Sequence, residues 1–171
     1  EFESDEYFYT EHRYQQLLKA IEENRIQLDH ATSAKPIGTV GAVACDSNGN
    51  VAAATSTGGM TNKKFGRIGD TAIIGAGNYA SNETCAVSCT GHGEFFMIGV
   101  TAYDVAARMK YKSLSLSEAS AEALEHLTKI GGEGGFIAVD SAGNVVLPFN
   151  SDGMYRGFIT ASGEVKVEIY K

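Results

Sequence analysis

Long apolar runs and cysteines are both scarce in this sequence, and each shortage excludes a class of protein. No apolar run approaches the ~20 residues that a membrane-spanning helix needs, and no signal-peptide pattern opens the chain. Cys45, Cys85 and Cys89 are an odd set without Cys-x-x-Cys spacing, which makes a poor disulfide framework and a poor zinc site. We expect a cytoplasmic protein with buried free thiols and no metal site in this chain.

Basic residues and prolines are also few. The 14 Lys and Arg are outnumbered by 21 Asp and Glu, so the chain lacks the general positive field of proteins that bind nucleic acid or an anionic membrane. Glycine, in contrast, is abundant, with 20 residues against 2 prolines. The 171 residues suffice for one globular domain, in which the glycines need a backbone explanation.

Apolar spacing predicts three helices, at residues 10–24, 94–110 and 115–130. Thr10 suits the start of the first, and Ser115 with Glu118 forms the capping box of the third, which Gly131 ends. The second is apolar on a wide face, which favours burial between layers.

Short runs typical of β-strands fill most of the remainder, while residues 26–37 have no clean period and indicate an exposed linker. The order is helix, linker, four strands, two helices and four strands, which predicts an α+β architecture of mainly antiparallel sheets covered by helices. The predicted strands are residues 39–46, 51–56, 72–79, 84–89, 135–140, 144–148, 154–160 and 164–170.

The dipeptide Gly38-Thr39 stands where the linker meets the first strand. If the chain is cut before Thr39, the freed α-amine titrates near ~8 and can take the proton of the Thr39 hydroxyl. Cutting requires a distorted peptide, which a glycine tolerates. A threonine that merely opens a strand after a glycine turn would leave the same dipeptide.

Five segments, the first of which begins with this dipeptide, resemble in order and spacing the plant-type asparaginases, also called isoaspartyl peptidases, a family of Ntn-hydrolases. The resemblance extends over nearly the whole chain. It rests on GTVGAVACDSNGNVAAATSTGGMTNK from Gly38, GRIGD from Gly66, IIGAGNYA from Ile73, SCTGHGE from Ser88 and FNSDGMYRG from Phe149. It implies an αββα sandwich of two mainly antiparallel sheets covered by helices, of which this chain holds part.

The resemblance also implies roles for individual residues. Thr39 matches the nucleophile and first residue of the β subunit after autocleavage, and Thr57 matches a threonine that orients the nucleophile. Thr90 and Gly91 match the oxyanion hole, in which each donor is typically worth ~3 kcal/mol in the transition state. Without the family, Thr57 would be an ordinary strand-end residue and Thr90-Gly91 a turn before a helix.

The substrate's head group is expected on one loop and the turn that follows the fourth strand. Arg67 matches the residue that grips the α-carboxylate, and a guanidinium fork suits a carboxylate. Asp70 matches the anchor of the α-ammonium, and Gly93 fits beside it. From the residues alone, a surface ion pair of Arg67 and Asp70 would be the preferred interpretation.

The family's precursors carry a long segment before the helix at Thr10, which is absent here. We expect residues 1–38 to be the C-terminal end of the α subunit with the cleavage linker, and residues 39–171 to be the β subunit. By resemblance, α and β chains pair as (αβ)2, and the family's sodium and potassium loops lie in the absent segment, so no cofactor is expected here. The chain is then a precursor fragment or a shortened variant.

The implied activity is hydrolysis of L-asparagine to aspartate and ammonia, and of β-aspartyl dipeptides. Gly38 and the sequence STGG favour this branch over glycosylasparaginases, which tend to have Asp before the nucleophile and STNG. Two alternatives are a glycosylasparaginase-like hydrolase and a non-maturing relative that acts as a binding module. A triad of Ser88, His92 and Asp104 lacks the GxSxG context that a serine nucleophile requires.

Overall fold

The helices of the protein agree in part with those expected. A computed structural model describes residues 3–24 and 38–170, so the linker expected at residues 26–37 lies outside the described residues. The helices within these ranges are α1 Asp5–Phe8, α2 Glu11–Glu22, α3 Gly93–Gly99, α4 Thr101–Lys112 and α5 Leu116–Lys129.

The strands within residues 3–24 and 38–170 form three antiparallel sheets. They are β1 Val40–Cys45, β2 Val51–Ser56, β3 Asn78–Ala80, β4 Cys85–Gly91, β5 Gly134–Asp140, β6 Val145–Val146, β7 Arg156–Ile159 and β8 Val165–Glu168. β1 pairs with β2 and β7 with β8, while β3, β4, β5 and β6 form a four-stranded sheet in that order. The expectation of an α+β fold with mainly antiparallel sheets is confirmed.

The described residues form layers around the four-stranded sheet. Helices α4 and α5 pack on one face of this sheet, and the β1–β2 hairpin packs on the other. The core lies between the helices and the sheet, where Val87, Phe96, Val105, Leu127 and Phe136 are fully buried. Helix, sheet and hairpin are thus three successive layers, in keeping with part of a four-layer αββα sandwich.

The strand expected at residues 72–79 is largely wrong. Residues Asp70–Ala72 form one turn of 3-10 helix, and the strand begins only at Asn78. Two glycines cause the difference. Gly75 has a φ of +91°, and a Cβ on Gly77 would lie 2.5 Å from the Asp70 carbonyl oxygen, so the chain folds closely back over Asp70.

The single helix expected at residues 94–110 is two helices. Val100, with a φ of 46°, takes the left-handed conformation and separates α3 from α4. The amides of Ala102 and Tyr103 then donate to the carbonyls of Ala76 and Gly75, at 3.2 and 2.8 Å, instead of to the preceding turn. The bent segment before β3 therefore provides the hydrogen-bond acceptors for the start of α4.

Two hairpin turns have the same construction. The Oδ1 of Asp46 accepts from the amide of Asn50 at 2.8 Å, and Asp46 Oδ2 accepts from the Asn50 side chain at 2.8 Å. Asp140 and Asn144 repeat these two bonds at 2.9 and 2.8 Å. A Cβ on Gly49 in the first turn would lie 2.9 Å from a carbonyl of the second, so the two turns lie side by side.

Candidate active site

Thr39 and Thr57 lie at the same end of the β1–β2 hairpin. Thr39 directly precedes β1, and Thr57 directly follows β2. Val40 is paired with Ser56, so continuing the antiparallel register by one residue places Thr39 opposite Thr57. The Thr57 hydroxyl accepts a hydrogen bond from the amide of Gly59 at 2.9 Å, which fixes the start of the STGG segment.

A cavity at this end of the hairpin, here called the Thr39 cavity, collects most of the residues expected in the site. It brings Arg67 and Asp70 from one loop together with the end of β4, although these segments are far apart in sequence. Its lining consists of Gly38, Thr39, Thr57, Gly59, Met60, Lys63, Arg67, Gly69, Asp70, Thr71 and Gly91.

Thr90 borders the same space as Thr39 in two other cavities. A second cavity is bordered by Thr39, Ser88 and Thr90, and a third by Thr39, Thr90 and Tyr155. Thr39 therefore lies where three cavities meet, with Thr90 beside two of them and Gly91 beside the Thr39 cavity. This placement is compatible with the expected oxyanion hole, which stays a prediction.

The backbone at Gly91 requires glycine. Its φ is +145°, and an added Cβ would lie 2.3 Å from the carbonyl oxygen of Glu133 and 2.7 Å from the Cα of its paired residue Gly134. Any side chain here would force β4 and β5 apart at the end that faces Thr39. The close approach keeps the Gly91 backbone on the cavity wall.

Arg67 forms a bidentate ion pair, and its partner is Glu94 rather than Asp70. Nε donates to Glu94 Oε1 at 2.7 Å, and Nη2 donates to Oε2 at 3.0 Å. Glu94 lies in the first turn of α3. The Arg67 side chain is only 15% exposed, whereas that of Glu94 is 49% exposed. The hydrogen bonds from Arg67 lower the pKa of Glu94 below its usual value, so Glu94 is ionised at neutral pH.

Asp70 is a buried carboxylate with an unfilled hydrogen-bond position. It is 5% exposed, and burial raises its pKa to about 6, against a smaller opposite effect of backbone hydrogen bonds. Within residues 3–24 and 38–170, its Oδ2 has no hydrogen-bond partner. Gly93 lies against it, since a Cβ at Gly93 would be 2.7 Å from Asp70 Oδ1. A buried carboxylate oxygen without a protein partner can accept a hydrogen bond from a water molecule or from a cationic ligand.

Ser88 and Asp104, considered above as members of a triad with His92, form hydrogen bonds with other residues. Ser88 Oγ lies 2.7 Å from Thr55 Oγ1, a bond in which either hydroxyl can donate. Asp104 Oδ2 accepts from Nε of Arg108 at 2.9 Å. Both groups are therefore engaged within packing contacts of the hairpin and of α4.

The family of this chain is shown by its similarity to a family model and to known proteins. A family model described as asparaginase matches residues 1–169. The chain belongs to the asparaginase family. Among its relatives, isoaspartyl peptidase of Escherichia coli K12 is 52% identical over 98% of this chain, and the protein of the same name from Salmonella typhimurium is 52% identical over 98%. The isoaspartyl peptidase/L-asparaginase of Xenopus laevis is 49% identical over 69%.

The asparaginase-family chain spans about half the length of the relatives it matches. It covers 54% of the Escherichia coli protein, 55% of the Salmonella protein and 38% of the Xenopus protein. The Ntn-hydrolase fold class expected from the motifs is that of this family.

Sequence reasoning missed several residues around the site of this asparaginase-family chain. Glu94 and the Thr55–Ser88 pair were not expected, because their partners lie 27 and 33 residues away in sequence. Lys63 lines the Thr39 cavity and packs over Gly59, where a Cβ would lie 2.9 Å from Lys63 Nζ. The only sequence signal for Glu94 was its position just after TGHG, where a helix begins.

The described residues contain neither a membrane-spanning helix nor a cluster of metal-binding side chains. No helix within residues 3–24 and 38–170 is long and apolar enough to cross a membrane. In the same ranges, no group of three or more His, Cys, Asp or Glu side chains is placed to hold a metal ion. Cys85 and Cys89 are free and buried, as expected for structural thiols, while Cys45 is free and partly exposed.

Proposed function

We propose that this chain carries the catalytic half of an autocleaving threonine amidohydrolase that acts on L-asparagine and β-aspartyl dipeptides. The observation that carries the proposal is the Thr39 cavity, in which Thr39 shares one space with Arg67 and with the buried Asp70. The names of the relatives, isoaspartyl peptidase and L-asparaginase, agree with a substrate that has an aspartyl head group.

The first step is cleavage of the chain between Gly38 and Thr39. The Thr39 hydroxyl attacks the Gly38 carbonyl carbon, the peptide C–N bond breaks, and an ester forms. Water then hydrolyses this ester, which releases a Gly38 carboxylate and a Thr39 that carries both a free hydroxyl and a free α-amine. Residues 1–38 become the end of an α chain, and residues 39–171 become a β chain.

The α-amine makes Thr39 a nucleophile for substrate. It takes the hydroxyl proton, and the Thr39 oxygen bonds to the side-chain amide carbon of asparagine. Thr57 orients the hydroxyl, while Thr90 and Gly91 donate to the developing oxyanion. The C–N bond then breaks, ammonia leaves with the transferred proton, and water hydrolyses the aspartyl ester. With a β-aspartyl dipeptide, the leaving group is an amino acid.

Two charged side chains of the protein bind the two charges of the substrate's aspartyl head group. Arg67 pairs with the α-carboxylate, and Asp70 Oδ2 accepts a hydrogen bond from the α-ammonium, which fills its open position. Gly93 keeps the space beside Asp70 free of side-chain atoms. Both charges of a free aspartyl head group are therefore needed for tight binding.

Substitution of Thr39 tests the proposal in the complete gene product. Thr39→Ala should remain uncut and inactive, whereas Thr39→Ser, which keeps a hydroxyl, should retain cleavage and part of the turnover. Mass spectrometry would show the new Thr39 amino terminus, and ammonia release would report hydrolysis of asparagine. Thr160→Ala, after the far end of β7, is the matched control and should behave like the parent. Normal turnover by Thr39→Ala would refute the assignment.

Contacts across the cleavage point favour an α chain that stays bound to its β chain. Asn62 Nδ2 donates to the carbonyl of Ala20 in α2 at 3.2 Å, and Lys64 Nζ donates to Asn24 Oδ1 at 3.0 Å. These bonds join residues on either side of Gly38-Thr39 and do not depend on that peptide. Assembly of two such αβ pairs into (αβ)2 is part of the proposal, and the mass of the cleaved protein in solution tests it.

A further inference from the structure

The Arg67–Glu94 pair occupies one specific edge of the guanidinium. Nε and Nη2 each donate to a different oxygen of Glu94. An arginine has five N–H donors, so three remain, two on Nη1 and one on Nη2. Two of these three, one on each Nη, form the end-on edge of the guanidinium, which is itself suited to two parallel bonds with a second carboxylate.

Local packing leaves space around that end-on edge. A Cβ on Gly69 would lie 3.3 Å from Arg67 Nη1, so the glycine leaves the nitrogen uncrowded. Gly69 and Arg67 both line the Thr39 cavity. Glu94 lines none of the three cavities that border Thr39, and so holds Arg67 from outside this space.

Glu94 is well placed to hold a cation firmly. It lies in the first turn of α3, where the amide dipoles favour a negative charge. Its partner Arg67 is mostly buried, so the two bonds are less screened than those of an exposed pair. The guanidinium plane is therefore fixed by two bonds rather than by the flexible arginine stem.

We propose that Glu94 is a positioning residue for substrate selection: it fixes Arg67 so that the Nη1–Nη2 edge meets the α-carboxylate of the substrate. This inference rests on the proposed function and extends it, since it adds a residue that does not touch the substrate. The opposite role would be competition, with Glu94 occupying Arg67 until substrate displaces it. The two roles predict opposite changes in KM.

The variant Glu94→Gln, made in the complete gene product, distinguishes the positioning role of Glu94 from the competing role. The glutamine keeps the shape of Glu94 but presents one N–H to an N–H donor of Arg67, which loosens the pair. The KM for asparagine should rise by about tenfold, with kcat within about twofold, because a charge-assisted bond pair is disturbed while the reacting groups are not. An unchanged or lowered KM overturns the proposal.

A substrate without the carboxylate shows whether the effect passes through Arg67. 3-Aminopropanamide is asparagine without its α-carboxylate, so Glu94→Gln should leave its kcat/KM unchanged while that for asparagine falls. An equal loss for both compounds would indicate general damage to the site and overturn the proposal. Glu83→Gln is the matched control, because Glu83 pairs with Lys110 at 2.6 Å beyond the other end of β4.

Two further measurements separate this inference from the proposed function. Autocleavage of Glu94→Gln should proceed as in the parent, since that step involves no aspartyl head group. Binding of aspartate, the product, to the cleaved protein can be followed by calorimetry, and Glu94→Gln should add little to the loss caused by Arg67→Lys. Additive losses would overturn the positioning role, whereas a parent protein that neither cleaves nor hydrolyses asparagine would overturn the proposed function instead.

Discussion

At the scale of single residues, Asp70 shows how the site holds a charge ready for a ligand. Burial disfavours its carboxylate and raises its pKa to about 6, even though Arg67 acts in the opposite direction. The folded protein therefore binds a proton at Asp70 more tightly than the unfolded chain does. As a consequence, the free energy of unfolding decreases as pH rises from the usual pKa of an aspartate to about 6. A bound ammonium would offset this cost.

Head-group binding should therefore depend on pH. Below pH 6 Asp70 becomes neutral and can no longer balance the α-ammonium, so the Kd of aspartate for the cleaved protein should rise by about fivefold between pH 6 and pH 5. Calorimetric titrations at a series of pH values measure this dependence.

Asp70→Asn is the control for that dependence. It should bind aspartate weakly throughout and lose the change near pH 6, because it cannot ionise. A parent protein whose Kd stays constant from pH 7.5 to 5, or an Asp70→Asn variant with the parent's profile, would contradict the assignment of Asp70.

Individual side chains were predictable where a short motif specifies them. Thr57, Arg67, Asp70 and Gly91 lie around one cavity with Thr39, as the motif order indicated. The partner of Arg67 was not predictable, because a helix start and a distant loop meet only in the folded chain. Tertiary contacts of this kind leave no local spacing to read.

At the scale of elements, the β1–β2 hairpin is positioned by a very close contact with the four-stranded sheet. A Cβ on Gly41 would lie 2.0 Å from Ser88 Oγ, and Ser88 is held by its bond to Thr55 across the same contact. Gly41 is two residues from Thr39. The absence of a side chain at Gly41 therefore sets how closely the start of β1 approaches β4.

Gly41→Ala should destabilise the protein by about 1–3 kcal/mol, because overpacking forces the hairpin away from the sheet. It should also lower kcat, since Thr39 moves with β1. Urea unfolding and asparagine turnover measure the two effects in the complete gene product. Gly58→Ala is the matched control for the unfolding measurement, as its Cβ would meet no atom within 4 Å.

A second substitution tests the cause of that loss. Adding Ser88→Ala removes the nearest clashing oxygen and should restore part of the stability lost in Gly41→Ala. Equal stability of the single and double variants would show that the contact between Gly41 and Ser88 is not what matters.

Elements were predictable from sequence where local chemistry determines them. The capping box of Ser115 and Glu118 is present at the start of α5, and Gly131, with a φ of +92°, follows its end. The break at Val100 was not predictable, because acceptors from a distant loop, Gly75 and Ala76, replace the helical ones. Likewise, the bend over Asp70 depends on packing at Gly77.

At the scale of the whole molecule, one face of the β1–β2 hairpin packs on the sheet and the other is open within the described residues. Its open side is apolar and small, with exposed Ala42, Ala44, Ala52 and Ala54. A groove bordered by β1 and β7 lies beside the hairpin, with Ile137 and Val139 among its lining residues. Exposed apolar surface of this kind favours association.

Residues 1–171 should therefore differ from a relative of greater length, such as the isoaspartyl peptidase of Escherichia coli. We expect residues 1–171 to bind a hydrophobic dye such as ANS more strongly than that relative and to hydrolyse asparagine more slowly, because the hairpin is supported on one side only. Dye fluorescence and kcat/KM, measured side by side, check this. Equal kcat/KM with no extra dye binding would show that the chain is sufficient as it stands.

The paired turns at Asp46 and Asp140 have a practical consequence. β1 and β5 both run from the Thr39 end of the layers to these turns, so the turns lie about a strand length from the chemistry. Ser47 and Ala142 are exposed there. A fluorophore or a support matrix attached through a cysteine introduced at Ser47 or Ala142 would leave the nucleophile and its entrance untouched, which makes this end a natural point for immobilising the protein.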